Sequence, residues 1–198
     1  KINFYSSLIV QDEIRGYLIY NNTWNFVGEA QYHSLKSNHN IEKIAILLES
    51  PHKDEYSSSY IPLRPANGKT GTKLNKKLVD QISVQHKKDK CSLSSQLNTS
   101  VDYEIYLMNP VPVQASCYNY FNGNKNNCTR ENTTQVFEVL FENYFKTDFE
   151  NRLNNYMPNY IFNCCTTYVV RYVDKVIKKI NFYRADNFLF HGTHPVTW

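Results

Sequence analysis

Four short apolar runs punctuate an otherwise polar chain, and three of them lead into a residue equipped for chemistry. Residues 41–50 read Ile-Glu-Lys-Ile-Ala-Ile-Leu-Leu-Glu-Ser, and Pro51 stops them. A run this continuous fits a strand buried on both faces, as in a parallel sheet. Residues 103–109 form a second run, ended by Pro110 and Pro112. Residues 159–165 form a third, and 187–190 a fourth that leads straight into His191-Gly192-Thr193-His194. Helical periodicity lies between them. From Gly71 onward, Leu74, Leu78 and Ile82 share a face opposite Lys73, Lys76 and Lys77. Residues 131–149 set Val136, Phe137, Leu140 and Phe141 at helical spacing. Residues 168–180 carry Val169, Val173, Val176, Ile177 and Ile180 along one stripe. A looser pattern over 10–20 puts Ile14, Tyr17 and Leu18 on one face and predicts a helix covering one side of the sheet. Strands alternating with helices predict an α/β fold with a parallel sheet. No repeat or linker divides the chain, so residues 1–198 are expected to form one domain.

The remaining segments read as connections. Residues 52–70 form a long loop, which in a compact domain is usually functional. Residues 86–100 are charged and polar, and 118–129 are an Asn-rich excursion.

Composition narrows the class. Aromatic residues at 15% argue against disorder. A net charge of +4 suits a nucleic-acid partner and equally suits an ordinary basic protein. No apolar run reaches the length of a membrane span, and no charged-then-apolar leader opens the sequence. The five cysteines, Cys91, Cys117, Cys128, Cys164 and Cys165, are odd in number and lack a C-x-x-C pair. They predict free thiols in a reducing cytoplasm.

In an open α/β sheet, ligands bind at the carboxyl ends of the strands. Glu49, Asn109 and His194 each follow such an end, so a carboxylate, an amide and an imidazole are expected to share one crevice. The loop between the first strand and first helix carries Arg64-Pro65-Ala66-Asn67-Gly68-Lys69-Thr70-Gly71-Thr72-Lys73-Leu74. Backbone N–H groups at that helix start can hold a phosphate, and a plain helix-initiating turn is the alternative.

These segments, in this order, resemble the uracil-DNA glycosylase superfamily. The likeness is greatest to the branch whose first motif is Gly-Glu-Ala-Pro-Gly and whose next is Arg-Pro-Phe-Val-Gly-Arg-Ala-Gly-Gln-Leu-Leu. The stretch from Arg64 keeps the Arg-Pro, both glycines and the final leucine. The strand ending at Asn109 resembles the superfamily's Leu-Leu-Asn strand, and His194-Pro195 its closing His-Pro. The resemblance spans roughly residues 44–198. It implies a three-layer α/β/α fold with a central four-stranded parallel sheet, acting on DNA as a monomer.

The resemblance also implies roles. His194 would donate a hydrogen bond to the departing pyrimidine, Asn109 would read the base edge, and Glu49 would direct water or favour the cationic sugar. Simpler readings stand beside these: a core or capping histidine, a turn asparagine before Pro110, and a carboxylate holding loop N–H groups. Ser50 stands where classical members carry Asp, and His52 where they carry Tyr. Ala66 replaces a stacking Phe, leaving room that Tyr60 or Tyr56 would have to fill; Asn67 lies beside it. That roominess implies a pyrimidine with a bulky C5 group, such as the glucosylated hydroxymethylcytosine of phage DNA removed by antiviral members. Uracil repair, or an inactive DNA- or nucleotide-binding module, are the alternatives. Arg64, Lys69 and Lys73 are expected on phosphates and Trp198 as a wedge, although basic helix faces are commonly just solvated. The branch's iron–sulfur cluster needs an N-terminal cysteine pair that this chain lacks, since its first cysteine is Cys91, so no cluster, no metal and no cofactor are expected.

Overall fold

The computed structural model describes residues 8–35, 39–115, 129–180 and 188–197. Cys117, Cys128, Trp198 and nearly all of the Asn-rich excursion lie outside the described residues.

The strands are β1 (Glu13–Asn21), β2 (Thr23–Val27), β3 (Asn40–Leu47), β4 (Val101–Met108), β5 (Tyr160–Asn163) and β6 (Leu189–His191). The helices are α1 (Glu29–Ser34), α2 (Lys69–Ile82), α3 (Arg130–Leu140), α4 (Lys146–Tyr156) and α5 (Val170–Ile177). One six-stranded sheet runs β2-β1-β4-β3-β5-β6. The pairs β4–β3, β3–β5 and β5–β6 are parallel, while β1 pairs antiparallel with both β2 and β4. The sheet is therefore mixed, not a four-stranded parallel one.

The added strands come from the segment expected to be an N-terminal helix. Its Tyr, Ile, Leu, Trp and Phe side chains suit a pleated surface as well as a helix face. Asn22, at φ 61°, turns the chain tightly between β1 and β2. A bulge between Ile14 and Gly16 then fits β1 to β4. Gly16 is required there: at φ 155°, a Cβ would lie 2.3 Å from the Val27 carbonyl oxygen. The hairpin extends the sheet edge instead of covering a face.

Helices cover both faces, and β3 shows how the sequence divides them. Ala45 and Leu47 pack into a cluster with Phe137, Phe149, Val173 and Ile177, from the side of α3, α4 and α5. Ile44, Ile46 and Leu48 pack with Leu74, Leu78 and Ile82 of α2 on the other. The two-residue period of a strand places neighbours on opposite faces, so a strand buried on both sides reads as one apolar run. The helix expected over 131–149 is broken by a π-helical turn at Phe141–Phe145, which buries Phe141 and Phe145 before α4 begins. Helix α2 starts at Lys69, slightly before Gly71. A Cβ on Gly71 would sit 1.8 Å from the Ala66 carbonyl oxygen, so this glycine lets the loop cross the helix's first turn.

Candidate active site

Strand register brings the predicted residues to one edge. Leu47 of β3 is level with Met108 of β4 and Asn163 of β5, and Asn163 is level with His191 of β6. Glu49, Asn109 and His194 thus all leave the sheet at its carboxyl edge. The Val111 N–H donates to the Glu49 carbonyl at 3.1 Å and ties the first two strand ends together.

Glu49 Oε2 accepts the Thr166 hydroxyl at 2.6 Å and the Thr166 N–H at 3.2 Å. Burial raises the Glu49 pKa, and these two bonds work against the rise. The carboxylate does hold a loop N–H, yet Oε1 has no partner among the described residues.

Asn109 is 1% exposed, and neither of its amide atoms has a hydrogen-bond partner among the described residues. A turn asparagine would spend its amide on nearby backbone, and this one does not. Its main chain is fixed from both sides. The Asp12 carboxylate accepts from the Asn109 N–H, and Arg152 Nη2 donates to the Asn109 carbonyl at 3.0 Å. Arg152 Nη1 also reaches both Asp12 oxygens, at 2.9 and 2.7 Å. Burial nonetheless leaves the Asp12 pKa above its ordinary value, Arg152 offsetting only part of the effect.

Glu55 is the residue that the sequence did not reveal. It sits in the 3-10 turn Lys53–Glu55, is 3% exposed, and titrates at about 7. Burial is the main cause, opposed by N–H bonds from His52 and Ala66 and by the Asn109 amide. The His52 N–H donates to Oε1 at 3.2 Å. Asn109 lies close enough to lower the Glu55 pKa, but Oε2 has no partner in hydrogen-bond geometry. An unsatisfied buried polar group costs about 1–3 kcal/mol, and three such atoms gather here: Glu55 Oε2, Asn109 Oδ1 and Asn109 Nδ2.

His194 precedes the turn Pro195–Thr197, and its carbonyl accepts the Thr197 N–H at 2.9 Å and hydroxyl at 2.7 Å. Burial first, and the charge of His52 second, push its pKa down to about 4. The ring is therefore neutral at physiological pH and near His52. His191 behaves oppositely. Its Nδ1 is 2.6 Å from Asp89 Oδ1, and its Nε2 is 3.2 Å from Asp174 Oδ2. Burial would lower the His191 pKa, but the bonds to Asp174 and Asp89 outweigh it and hold the pKa high. Asp174 is anchored in turn by Asn163 Nδ2 at 2.9 Å.

A cavity of about 300 Å³ opens at this edge, lined among others by Lys88, Thr166, His191, Thr193 and His194. Thr166, whose hydroxyl holds Glu49, and His194 both line it, so the anchor of the carboxylate and the imidazole border one space.

The other predicted residues divide. Ser50 is half-buried next to Glu49, and His52 is exposed with Nδ1 3.3 Å from Asp54 Oδ2. Ala66 does not line that cavity: it is 1% exposed within the cluster under α2, at φ 53°. Tyr56 is committed elsewhere, donating to the Leu8 carbonyl at 3.0 Å and accepting the Gln114 N–H at 3.1 Å. Tyr60 is 69% exposed at a turn, outside that cavity's lining. Asn67 and Arg64 brace the loop, Arg64 Nε donating to Asn67 Oδ1 at 3.1 Å and Asn67 Nδ2 to the Asp54 carbonyl at 3.0 Å. Lys69 is exposed at the start of α2, and Lys73 is half-buried on the same helix.

Comparison with protein-family models, with curated proteins and with solved structures finds no match. Among the described residues no cluster of His, Cys, Asp and Glu could hold a metal ion, and no helix is long and apolar enough to cross a membrane. Cys91, Cys164 and Cys165 are free thiols, and burial raises the pKa of Cys164 and Cys165.

Proposed function

We propose that this chain is a monofunctional DNA N-glycosylase that flips out a modified pyrimidine and hydrolyses its bond to deoxyribose, leaving an abasic site. The candidate substrate is the glucosylated hydroxymethylcytosine of phage DNA. We read the four parallel strands with helices on both faces as a uracil-DNA glycosylase-type core, with the β1–β2 hairpin added at its edge. The observation that carries the reading is the meeting of Glu49, Asn109 and His194 at one carboxyl edge, where a cavity of about 300 Å³ opens beside His194.

Cleavage of the glycosidic bond builds positive charge on the sugar and negative charge on the base. A neutral imidazole is the fitting partner for the base: it donates a hydrogen bond without needing a proton in advance, as fixed donors in dry sites do. The low pKa of His194 keeps it in that form. Glu49, with Oε2 fixed by Thr166, offers Oε1 to a water or to the cationic sugar. The extruded base enters the crevice because the bond is out of reach inside the stack. The cavity bordering His194 supplies room for a C5 substituent, and its threonine hydroxyls suit a hydroxylated one. No cofactor is needed. Arg64, Lys69 and Lys73 are the proposed phosphate contacts, and the protein works in the cytoplasm as a monomer.

The test is to incubate the protein with duplexes containing uracil or glucosylated hydroxymethylcytosine and identify the released base by mass spectrometry. Release of the glucosylated base, lost in Glu49→Gln and His194→Ala, is expected. Release from uracil DNA alone defeats the enlarged-pocket reading. Release from neither defeats the enzyme reading and leaves a binding module.

A further inference from the structure

The Asn109 amide carries both donors and an acceptor, so by itself it fits the edge of uracil or of cytosine. The choice needs a second group, and the structure supplies one. Glu55 Oε2 and both amide atoms of Asn109 are buried together, close enough for Asn109 to lower the Glu55 pKa yet outside hydrogen-bond geometry with each other or with any other described residue. Buried polar atoms in native proteins are overwhelmingly paired, so three orphans at one strand end mark a place built for a polar ligand edge. Glu55 is fixed in place: the His52 N–H donates to Oε1 at 3.2 Å, and the Ala66 N–H also bonds the carboxylate. Oε2 is left beside the amide without a partner of its own.

We infer that Glu55, together with Asn109, reads the 4-amino edge of a cytosine-class base and rejects the 4-oxo edge of a uracil-class base. The inference rests on the glycosylase reading for its substrate being a nucleobase. With a cytosine-class base, ring N3 accepts from Asn109 Nδ2 and the 4-amino group donates to Glu55 Oε2. Carboxylates are the usual acceptors for that amino group. With a uracil-class base, N3–H donates to Asn109 Oδ1 and the 4-oxo group meets Oε2, acceptor against acceptor. A pocket built for one hydrogen-bonding pattern rejects the other strongly, because its buried groups are then left unpaired.

The experiment uses two ligand pairs that differ only at the 4-position, at about pH 8, where a carboxyl titrating at about 7 is ionised. Calorimetry follows binding of free 5-hydroxymethylcytosine and 5-hydroxymethyluracil to the wild-type protein and to Glu55→Gln. Mass spectrometry follows base release from duplexes carrying the glucosylated form of each. The wild type is expected to favour the amino base by about ten-fold or more, and Glu55→Gln, whose carbonyl takes the loop N–H bonds and whose NH2 group then meets the base, to lose or reverse that preference. Selective binding without release upholds the reader and refutes the glycosylase. Release of both bases at equal rates, unchanged in Glu55→Gln, overturns the reader and leaves the glycosylase standing. No selective binding and no release overturns the reader also, leaving trapped water as the partner of these atoms. The wild-type comparison stands even if the variant does not fold.

Discussion

Replacing Glu55 with Gln changes stability in a way that depends on pH and on nothing about function. Glu55 titrates at about 7 in the folded protein against an ordinary 4.5, because burial penalises the charged carboxylate. Each pH unit of displacement is worth about 1.4 kcal/mol, so ionised Glu55 costs the fold about 3 kcal/mol. The sign follows from a raised carboxyl pKa. Stability is full below the unfolded value near 4.5 and falls as pH rises through about 7. Gln keeps the shape, and its carbonyl accepts the N–H bonds of His52 and Ala66, but it cannot ionise. Urea unfolding of both proteins across this range should show similar stabilities near the acid end. The variant should gain by about 3 kcal/mol at about pH 8. The other titrating groups are common to both proteins and cancel in the difference. A difference between the two that stays constant with pH would refute the reasoning.

Four further outcomes follow from particular contacts. Arg152→Met leaves Asp12 buried without its partner and frees the Asn109 carbonyl, so the urea midpoint should drop by the equivalent of about 3–5 kcal/mol; adding Asp12→Asn should recover part, and no recovery would deny the pairing. Gly71→Ala forces a methyl against the Ala66 carbonyl and should destabilise by about 1–3 kcal/mol in the same assay; an unchanged midpoint contradicts the packing. In NMR titrations His194 should remain neutral until about pH 4, whereas His191 should stay protonated above its ordinary 6.5; His194 titrating near 6.5 would remove the neutral-donor argument. His194→Ala should lower base release by about a hundred-fold or more, with the fold intact by circular dichroism.

Much of the sheet was legible because burial on both faces leaves a trace in the sequence. The runs in β3 and β4 are mostly apolar since both of their faces meet helices, and the prolines after them mark where the chain leaves the sheet. The candidate edge was legible for the same reason: Glu49 and Asn109 follow those runs directly. The N-terminal hairpin was not. Ile14, Tyr17 and Leu18 satisfy a helical spacing, but pairing with the open edge of β4 decides for a strand. The π-helical turn at Phe141–Phe145 was hidden too, because its phenylalanines keep the helical rhythm.

The site shows the same division more sharply. Sequence order established an α/β chain and set Glu49, Asn109 and His194 at strand ends, since strand periodicity and the stops after it are local properties. Only tertiary structure decided which polar groups are sealed from water. Glu55 reads as one more charge in a polar loop until Ala66 and Asn109 close around it, and the Asp12–Arg152 brace joins residues far apart in the chain. His191 and His194 look alike in sequence, yet two carboxylates raise the pKa of one while burial beside His52 lowers that of the other. Protonation depends on desolvation and on neighbouring charge, and both are fixed only when distant segments pack.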